Sequence, residues 1–387
     1  MRGGLVLAVA AVALSCTSQP SSSTATPSAS GATAAPTVAA TAQPATPLAG
    51  AGALTARATT VPREWRYITA AEPKIGRIWL VDLDRGTSVD VVAAKGEPNQ
   101  SYFAPTFSAS ADGKHLVVSA VGPNARSALY RVDVESGRSA LLYEDATIQC
   151  VGCLFGTISP DGQSYAFADH SGVRVGRMSD GSNSQLVPHV DPAMVGGTWQ
   201  PRGWSVDGAL LAIWRGSEET SDLALVRVAT GQLTALGHGD SVAWRARSPQ
   251  AVVTSGINAF GGRSEMYTYD LATTARRQLE PVAQKRFSGA AWHPSEDRIL
   301  FLSADGPLID ADVFVRSLTD DAAKQVPAPR KVWDAWWSRD GSRIFATIPR
   351  PDALADAPGV ANLNILDLAV GRVVATVCRG DPRAACP

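Results

Sequence analysis

The cysteines are the residues whose spacing most directly suggests chemistry. Four of the five lie in two close pairs, Cys150 with Cys153 and Cys378 with Cys386. A C-x-x-C pair can perform redox chemistry where a helix N-terminus lowers a thiol pKa, or it can supply two zinc ligands. No helical pattern adjoins residues 150–153. We therefore expect a structural disulfide at 150–153, with redox chemistry and metal binding as the alternatives, and we expect Cys378 and Cys386 to form disulfides as well.

Other groups that could catalyse a reaction or bind a metal are scattered along the chain. The sequence contains no G-x-S-x-G, H-E-x-x-H or G-x-x-x-x-G-K-[ST] pattern, and no two of its five histidines have the spacing of a local metal site. Carboxylates gather in several connections, at Glu218, Glu219, Asp222, Asp305, Asp310, Asp312, Asp352 and Asp356. Calcium would need several of their oxygens to converge at about 2.3–2.6 Å. We interpret these residues as solvated loop tips, and we expect no metal and no cofactor.

The composition limits the partners that the chain can have. Its formal net charge is −1 at pH 7, and 45% of its residues are hydrophobic. Nucleic-acid binding normally requires a basic face, so we expect no nucleic-acid partner. The apolar fraction is high enough for a sizeable core.

The N-terminus has the pattern of an export signal. Arg2 precedes an apolar run at 4–14 that is too short to span a membrane and suits a signal peptide. The run ends in Ala-Leu-Ser-Cys at 13–16, which resembles a bacterial lipobox, whose cysteine is diacylated. We predict a signal peptide over 1–15 and lipidation of Cys16, with a plain secretory signal as the alternative. Lipidating Cys16 leaves four cysteines for disulfides in an oxidising compartment.

The segment that follows predicts a flexible tether. Residues 17–61 are almost entirely Ser, Thr, Ala, Pro, Gly and Gln, and Arg57 is their one charge. Such a composition cannot bury enough apolar surface to offset the entropy lost on ordering. We predict a disordered tether over 16–61 and a folded domain over 62–387.

A repeated turn indicates the architecture of that domain. Ser-x-Asp-Gly follows an aromatic or apolar strand at 110–113, 159–162, 205–208 and 338–341. Diverged copies lie at 244–248 and 292–297, and His293 occupies the serine position of the second. We interpret His293 as structural. The polar side chains can bond the backbone of the turn, and glycine accepts a positive φ.

A strand pattern recurs in step with this turn, about every 47 residues. Its seven copies lie at 78–83, 129–134, 173–178, 223–228, 266–271, 313–318 and 363–368. Together with the strands that flank each turn, they place four short strands in every period. Repeated four-stranded units of this length predict an all-β fold, a β-propeller of four-stranded antiparallel blades.

The combination of Ser-Pro-Asp-Gly at 159–162 with strands ending in Val-Asp-Leu or Leu-Asp-Leu resembles the TolB-like family of WD-type propeller repeats. The resemblance covers about residues 65–377. It implies the propeller fold, and it implies little about function. Related propellers include partner-binding proteins of the bacterial envelope and the non-catalytic caps of prolyl-oligopeptidase-type enzymes.

The number of blades follows from counting the repeats. Seven third-strand patterns favour seven blades, with six as the alternative. Residues 65–71 already match a second strand, so the first inner strand is expected from 56–61 or from the C-terminus. In a seven-bladed ring the two cysteine pairs are far apart, which favours the local disulfides Cys150–Cys153 and Cys378–Cys386.

Long connections indicate which face binds a ligand. The Ser-x-Asp-Gly turns are tight, whereas connections on the opposite face are long, at 215–222, 256–264, 303–312 and 349–361. Binding residues concentrate on irregular loops that a rigid scaffold holds. We predict a binding face over the central channel that includes Trp199, Arg202, Asp240, Trp333 and Asp334.

The leading hypothesis is a lipid-anchored extracytoplasmic propeller that binds or scaffolds a protein or glycan partner in the cell envelope. We expect it at the outer face of the cytoplasmic membrane, in the periplasm or at the cell surface, with only its lipid in the membrane. The alternative is a propeller enzyme of lactonase or glycan-processing type that uses acidic residues at the channel mouth. A propeller that only spaces or stabilises an envelope complex is a third possibility. Convergence of three or more acidic or histidine side chains at the mouth would favour the enzyme.

Overall fold

A computed structural model describes the chain over the following residues: 54–56, 67–70, 77–82, 87–94, 106–121, 127–133, 138–145, 154–189, 198–216, 221–246, 248–255, 264–280, 282, 286–304, 311–328, 332, 334–338, 341–349, 361–367 and 372–377. These residues belong to one compact unit, Ala40–Pro387. Their regular structure consists of β-strands, which are grouped below into four-stranded antiparallel sheets numbered in chain order.

Sheet one contains β1 (Leu54–Ala56), β2 (Tyr67–Ala70), β3 (Arg77–Asp82) and β4 (Thr87–Ala94), in the spatial order β1-β4-β3-β2. Sheet two contains β5 (Thr106–Ala109), β6 (His115–Val121), β7 (Ser127–Asp133) and β8 (Ser139–Glu144). Sheet three contains β9 (Gly156–Ile158), β10 (Ser164–Asp169), β11 (Gly172–Arg177) and β12 (Asn183–Pro188). Sheet four contains β13 (Gln200–Trp204), β14 (Leu210–Gly216), β15 (Ser221–Arg227) and β16 (Leu233–His238).

Sheet five contains β17 (Ser241–Trp244), β18 (Gln250–Ser255), β19 (Glu265–Asp270) and β20 (Arg276–Gln278). Sheet six contains β21 (Arg286–Trp292), β22 (Arg298–Ala304), β23 (Asp312–Ser317) and β24 (Ala323–Val326). Sheet seven contains β25 (Asp334–Trp337), β26 (Arg343–Pro349), β27 (Ala361–Asp367) and β28 (Arg372–Val377). Sheets two to seven have their strands in sequence order. The first strand of each of these six sheets is called its inner strand below.

In sheets two, three and four, a Ser-x-Asp-Gly turn joins the inner strand to the next strand through bonds within the turn. At 159–162, the Ser159 hydroxyl donates to Asp161 Oδ1 at 2.6 Å and accepts from the Ser164 amide at 2.9 Å. Asp161 Oδ1 also accepts from the Gln163 amide at 3.0 Å. Gly162 has a φ of +71°, which non-glycine residues rarely adopt. The turns at 110–113 and 205–208 repeat this arrangement.

His293 has the structural role that its position in the turn predicts. Its Nδ1 accepts from the amides of Ser295 at 3.2 Å and Glu296 at 2.9 Å. The ring proton is therefore on Nε2, which lies 3.2 Å from the carbonyl oxygen of Gly341 in the turn of sheet seven. The imidazole thus closes its own turn and binds the neighbouring one.

The core lies between successive sheets because both faces of several middle strands are covered. On β14, Leu211 and Ile213 pack towards sheet three, and Ala212 packs towards sheet five. On β22, Leu300 faces sheet seven and Phe301 faces sheet five. Buried clusters of this kind join sheets two to seven pairwise in chain order. Full burial of each such leucine or phenylalanine contributes about 1.5–3 kcal/mol.

The prediction of an all-β propeller with four-stranded antiparallel blades is confirmed. The described residues form seven four-stranded sheets, and the number of blades in the closed ring stays a prediction. Over the described part of the chain, no helix has the length and apolar character needed to cross a membrane.

Sheet one differs from the expected arrangement. β1 lies within 16–61, the segment that composition predicts to be a tether, and it pairs antiparallel with β4 through Leu54 and Ala94. It therefore adds a strand beyond β4, and it does not supply the inner strand expected from 56–61. Backbone bonding to an open strand edge explains how a segment of this composition can pair with β4.

Candidate functional site

The two ends of the sheets differ in how their polar groups are used. At one end the Ser-x-Asp-Gly turns bond to themselves and to one another, as when the Ala111 amide donates to the Pro160 carbonyl at 3.0 Å. The opposite end, called the loop face here, carries the connections after the second strands and before the inner strands. Charged and aromatic side chains collect on the loop face of sheets two to five.

Arg202 and Trp214 form the first of these groups. The strand register shifts between Pro201 and Gly203 on β13, so Arg202 lies in a bulge, and its side chain is exposed. Its guanidinium carbon lies 4.2 Å from the centre of the Trp214 ring, a cation–π contact. Partial burial against its neighbours lowers the pKa of Arg202, and the Asp240 carboxylate opposes that effect.

A second stack of the same kind lies in sheet four. The Arg215 guanidinium carbon is 4.7 Å from the centre of the buried Trp199 ring. Arg215 Nε and Nη2 also donate to Asp222 Oδ2 at 3.0 and 2.9 Å. His238 Nδ1 lies 3.9 Å from Asp222 Oδ1. This arginine is therefore already engaged by a carboxylate of the protein.

A third group lies between sheets two and three, where Asp145, Asp169 and His170 bring their ligand atoms within 4.8 Å of one another. The aspartates are 2% and 5% exposed, and His170 is exposed. The Tyr143 hydroxyl donates to Asp169 Oδ2 at 3.0 Å and lies 3.4 Å from Asp145 Oδ2. Two carboxylates and an imidazole could together hold a divalent cation, or they could transfer a proton.

The hydrogen bonds around Asp169 fix its orientation. Asp169 Oδ1 accepts from the Ser171 amide at 2.7 Å and the Ser171 hydroxyl at 2.6 Å. Arg174 Nε lies 3.7 Å from Asp169 Oδ2. Burial raises the pKa of Tyr143, and the adjacent charges of Asp169 and Asp145 raise it further. The tyrosine is thus a neutral hydrogen-bond donor at physiological pH.

The structure brings some of the predicted binding residues together and separates others. Arg202 and Asp240 interact electrostatically, whereas Trp199 belongs to the separate stack with Arg215. Asp334 begins β25, where its backbone is paired with that of Thr347, and Trp333 lies outside the described residues.

The described structure does not include the predicted lipidation and disulfide residues, which are Cys16, Cys150, Cys153, Cys378 and Cys386. Of the acidic residues interpreted as loop tips, Asp222 forms the ion pair with Arg215. Asp312 begins β23. Glu218, Glu219, Asp305, Asp310, Asp352 and Asp356 lie outside the described residues.

Sequence analysis did not single out Asp145, Asp169 or Trp214. Asp145 and Asp169 are 24 residues apart, and no local motif joins them. The one available indication was position, since Asp145 follows the fourth strand of one repeat and Asp169 ends the second strand of the next. Acidic and histidine side chains therefore do converge, as an enzyme would require. They do so between sheets two and three, whereas the sequence analysis expected them at the channel mouth.

Comparison with solved structures identifies proteins of similar fold. An oligogalacturonate lyase from Vibrio parahaemolyticus is 15% identical, with a TM-score of 0.54 over 81% of this chain and 87% of that one. A prolyl endopeptidase is 13% identical, with a TM-score of 0.58 over 86% of this chain and 51% of that one. A TolB-type protein from Agrobacterium tumefaciens is 18% identical, with a TM-score of 0.45 over 70% and 96%.

These proteins are β-propellers over the shared region, and at such identities the likeness shows the fold alone. The chain therefore has a β-propeller architecture, as its repeats predict. No protein-family model and no curated protein matches the chain.

Proposed function

We propose that the protein is a lipid-anchored extracytoplasmic propeller that binds a protein or glycan partner of the cell envelope through its loop face. Cys16 carries the lipid, and the Ser/Thr/Ala/Pro-rich segment links it to the propeller. In this proposal the propeller recognises its partner without chemically changing it.

One observation carries this proposal: the contrast between the two faces. The turn face uses its serine and aspartate side chains to bond its own backbone. The loop face instead presents the exposed Arg202 on Trp214 and, at the start of the inner strand of sheet three, the exposed Phe155. Aromatic residues and arginine are the side chains that contribute most to protein interfaces.

Site-specific photo-crosslinking in intact cells tests the proposal. Phe155 on the loop face is 41% exposed, and Val206 in a turn of the opposite face is 49% exposed, so the two positions form a matched pair. A photoreactive residue at position 155 of the full-length chain should capture a partner, and the same residue at 206 should not. Equal capture at both positions, or capture only at 206, would contradict a loop-face partner.

A second candidate function is an enzyme of glycan-processing type. The convergence of Asp145, Asp169 and His170 favours it, because paired carboxylates serve acid–base catalysis and cation binding. One solved structure of similar fold bears the name oligogalacturonate lyase. Incubation of the full-length chain with acidic oligosaccharides, with and without divalent cations, should then yield products that Asp169→Asn abolishes. Absence of product from the wild type under all these conditions would reject this candidate.

A further inference from the structure

We infer that Arg202 anchors a carboxylate-binding site at the loop face of sheet four. The inference rests on the proposed binding function and names the chemistry of the group that is bound. Such a site requires a guanidinium that is accessible, that is held in position, and whose donors are not already bonded to a carboxylate of the protein. It also requires surroundings that prefer a carboxylate to other anions.

Arg202 is accessible and held in position. The bulge between Pro201 and Gly203 turns it outward, and the Trp214 ring supports one face of its guanidinium at 4.2 Å. Stacking leaves the N–H groups pointing outward in the plane of the guanidinium. Among the residues that the structure describes, none accepts a hydrogen bond from that side chain.

Arg215 shows how the same arrangement looks when its donors are already used. It also stacks on a tryptophan, Trp199, which immediately precedes β13, but two of its donors bind Asp222. Sheet four thus carries two stacked arginines: the one on β14 is bonded to a carboxylate of the protein, and the one on β13 makes no such bond to a described residue. The site at Arg202 can accept from a ligand the carboxylate that Asp222 supplies at Arg215.

The local charge favours a carboxylate over a phosphate. The Asp240 carboxylate lies close enough to Arg202 to oppose the lowering of its pKa, so it adds a negative charge beside the site. A dianionic phosphate would be repelled by Asp240, whereas a monoanionic carboxylate experiences less repulsion. A planar carboxylate also matches the guanidinium fork with two parallel hydrogen bonds.

An exposed apolar side chain, Phe155, lies at the loop face of the neighbouring sheet three. The Trp204 indole N–H donates to the Thr157 carbonyl at 3.4 Å, which aligns the inner strands of sheets three and four. Phe155, just before β9, and Arg202, in β13, both lie on the loop-face side of that contact in neighbouring sheets. Because Phe155 is 41% exposed, the site suits a carboxylate with an apolar group attached.

Titration of the full-length chain with phenylacetate, acetate and phosphate tests the inference, with the change in tryptophan fluorescence, to which Trp214 contributes, as the readout. Phenylacetate should bind saturably and more tightly than acetate, and phosphate should bind most weakly. Arg202→Gln should weaken phenylacetate binding at least about tenfold. Arg202→Lys should recover part of the loss, because lysine keeps the charge and loses the fork.

Arg177→Gln is the matched control, since Arg177 is an exposed arginine at the turn end of β11. It should leave phenylacetate binding unchanged. Circular dichroism checks that each variant is folded, and Arg202→Lys provides the comparison if Arg202→Gln does not fold. Equal phenylacetate affinity in the wild type and the folded Arg202 variant, or tighter binding of phosphate than of phenylacetate, would overturn the inference.

The crosslinking experiment distinguishes the source of the carboxylate. If a partner macromolecule carries it, phenylacetate should suppress the adduct at position 155, and Arg202→Gln should weaken capture. If the ligand is a free carboxylate, phenylacetate should bind without changing the adduct. Capture at 155 with no carboxylate binding at Arg202 would reject this inference alone, whereas carboxylate binding without capture would reject the proposed partner.

Discussion

At the residue scale, Gly341 shows how a backbone angle and a neighbouring side chain together restrict a turn. Its φ is +75°, and a Cβ placed there would lie 2.1 Å from His293 Nε2. Gly208 has a φ of +71° in the equivalent turn, and a Cβ there would meet nothing within 4 Å. Both glycines therefore need a positive φ, but only Gly341 also lacks the space for a Cβ.

We predict that Gly208→Ala lowers the free energy of unfolding by about 1–2 kcal/mol, the cost of a left-handed alanine. Gly341→Ala should cost about 1–3 kcal/mol more, because the buried His293 ring must move and its bond to the Gly341 carbonyl is strained. Urea denaturation of the two variants measures the difference. Equal losses would show that the contact with His293 contributes nothing.

Asp161 illustrates a charge that stabilises a turn in a pH-dependent way. Its pKa is lowered by the Ser159 hydroxyl bond and the Gln163 amide bond. A carboxyl whose pKa is depressed on folding stabilises above its unfolded pKa, about 3.9, and loses that contribution as pH falls through its folded pKa.

We therefore expect Asp161→Asn to reduce stability at pH 7 by about 0.5–1 kcal/mol, a modest value because the group is exposed. The difference from the wild type should shrink as the pH is lowered from 4 towards 2. Urea unfolding curves across this range measure it. A difference that does not change with pH would mean that the charge is irrelevant to the turn.

At the scale of elements, tryptophans at the ends of inner strands join neighbouring sheets. The Trp337 indole N–H donates to the Ala291 carbonyl of sheet six at 3.2 Å. Trp292 occupies the same position in sheet six, and its buried indole nitrogen has no partner among the described residues. The two rings are similarly buried, at 8% and 7% exposure.

Trp337→Phe should therefore destabilise the protein by about 1 kcal/mol more than Trp292→Phe. Both changes remove a similar ring area, and only the first leaves a carbonyl between two sheets without its donor. Thermal or urea unfolding of the pair provides the measurement. A greater cost at Trp292 would show that ring packing, and not the hydrogen bond, dominates these contacts.

At the scale of the whole molecule, the lipid is expected to determine location and the propeller to determine stability. We predict that Cys16→Ala moves the protein from the membrane fraction to the soluble fraction of the cell envelope. Its unfolding curve should remain that of the wild-type domain, since the core lies between the sheets. Fractionation followed by immunoblotting measures the change, and continued membrane retention of the variant would refute lipidation at Cys16.

Much of the propeller could be predicted from the sequence because its evidence is local. A Ser-x-Asp-Gly turn bonds within six residues, and a short continuous apolar run along one strand indicates that both its faces are covered. Each repeat therefore carries its own information about four strands. The pairing of β1 with β4 was missed, because a strand that bonds to an edge through its backbone needs no distinctive side chains.

The candidate site depended more on tertiary structure. The sequence by itself placed Arg202, Asp240 and Trp199 on the loop face, because their positions before inner strands follow from the repeat. Only the tertiary structure showed that Arg202 stacks on Trp214 while Trp199 stacks on Arg215, and that Asp145 and Asp169 converge from different sheets. The physical reason is the sequence separation of the interacting residues. Turns and strands form between residues that are close in sequence, whereas these side-chain groups form between sheets, and the packing of two sheets cannot be read from a single repeat.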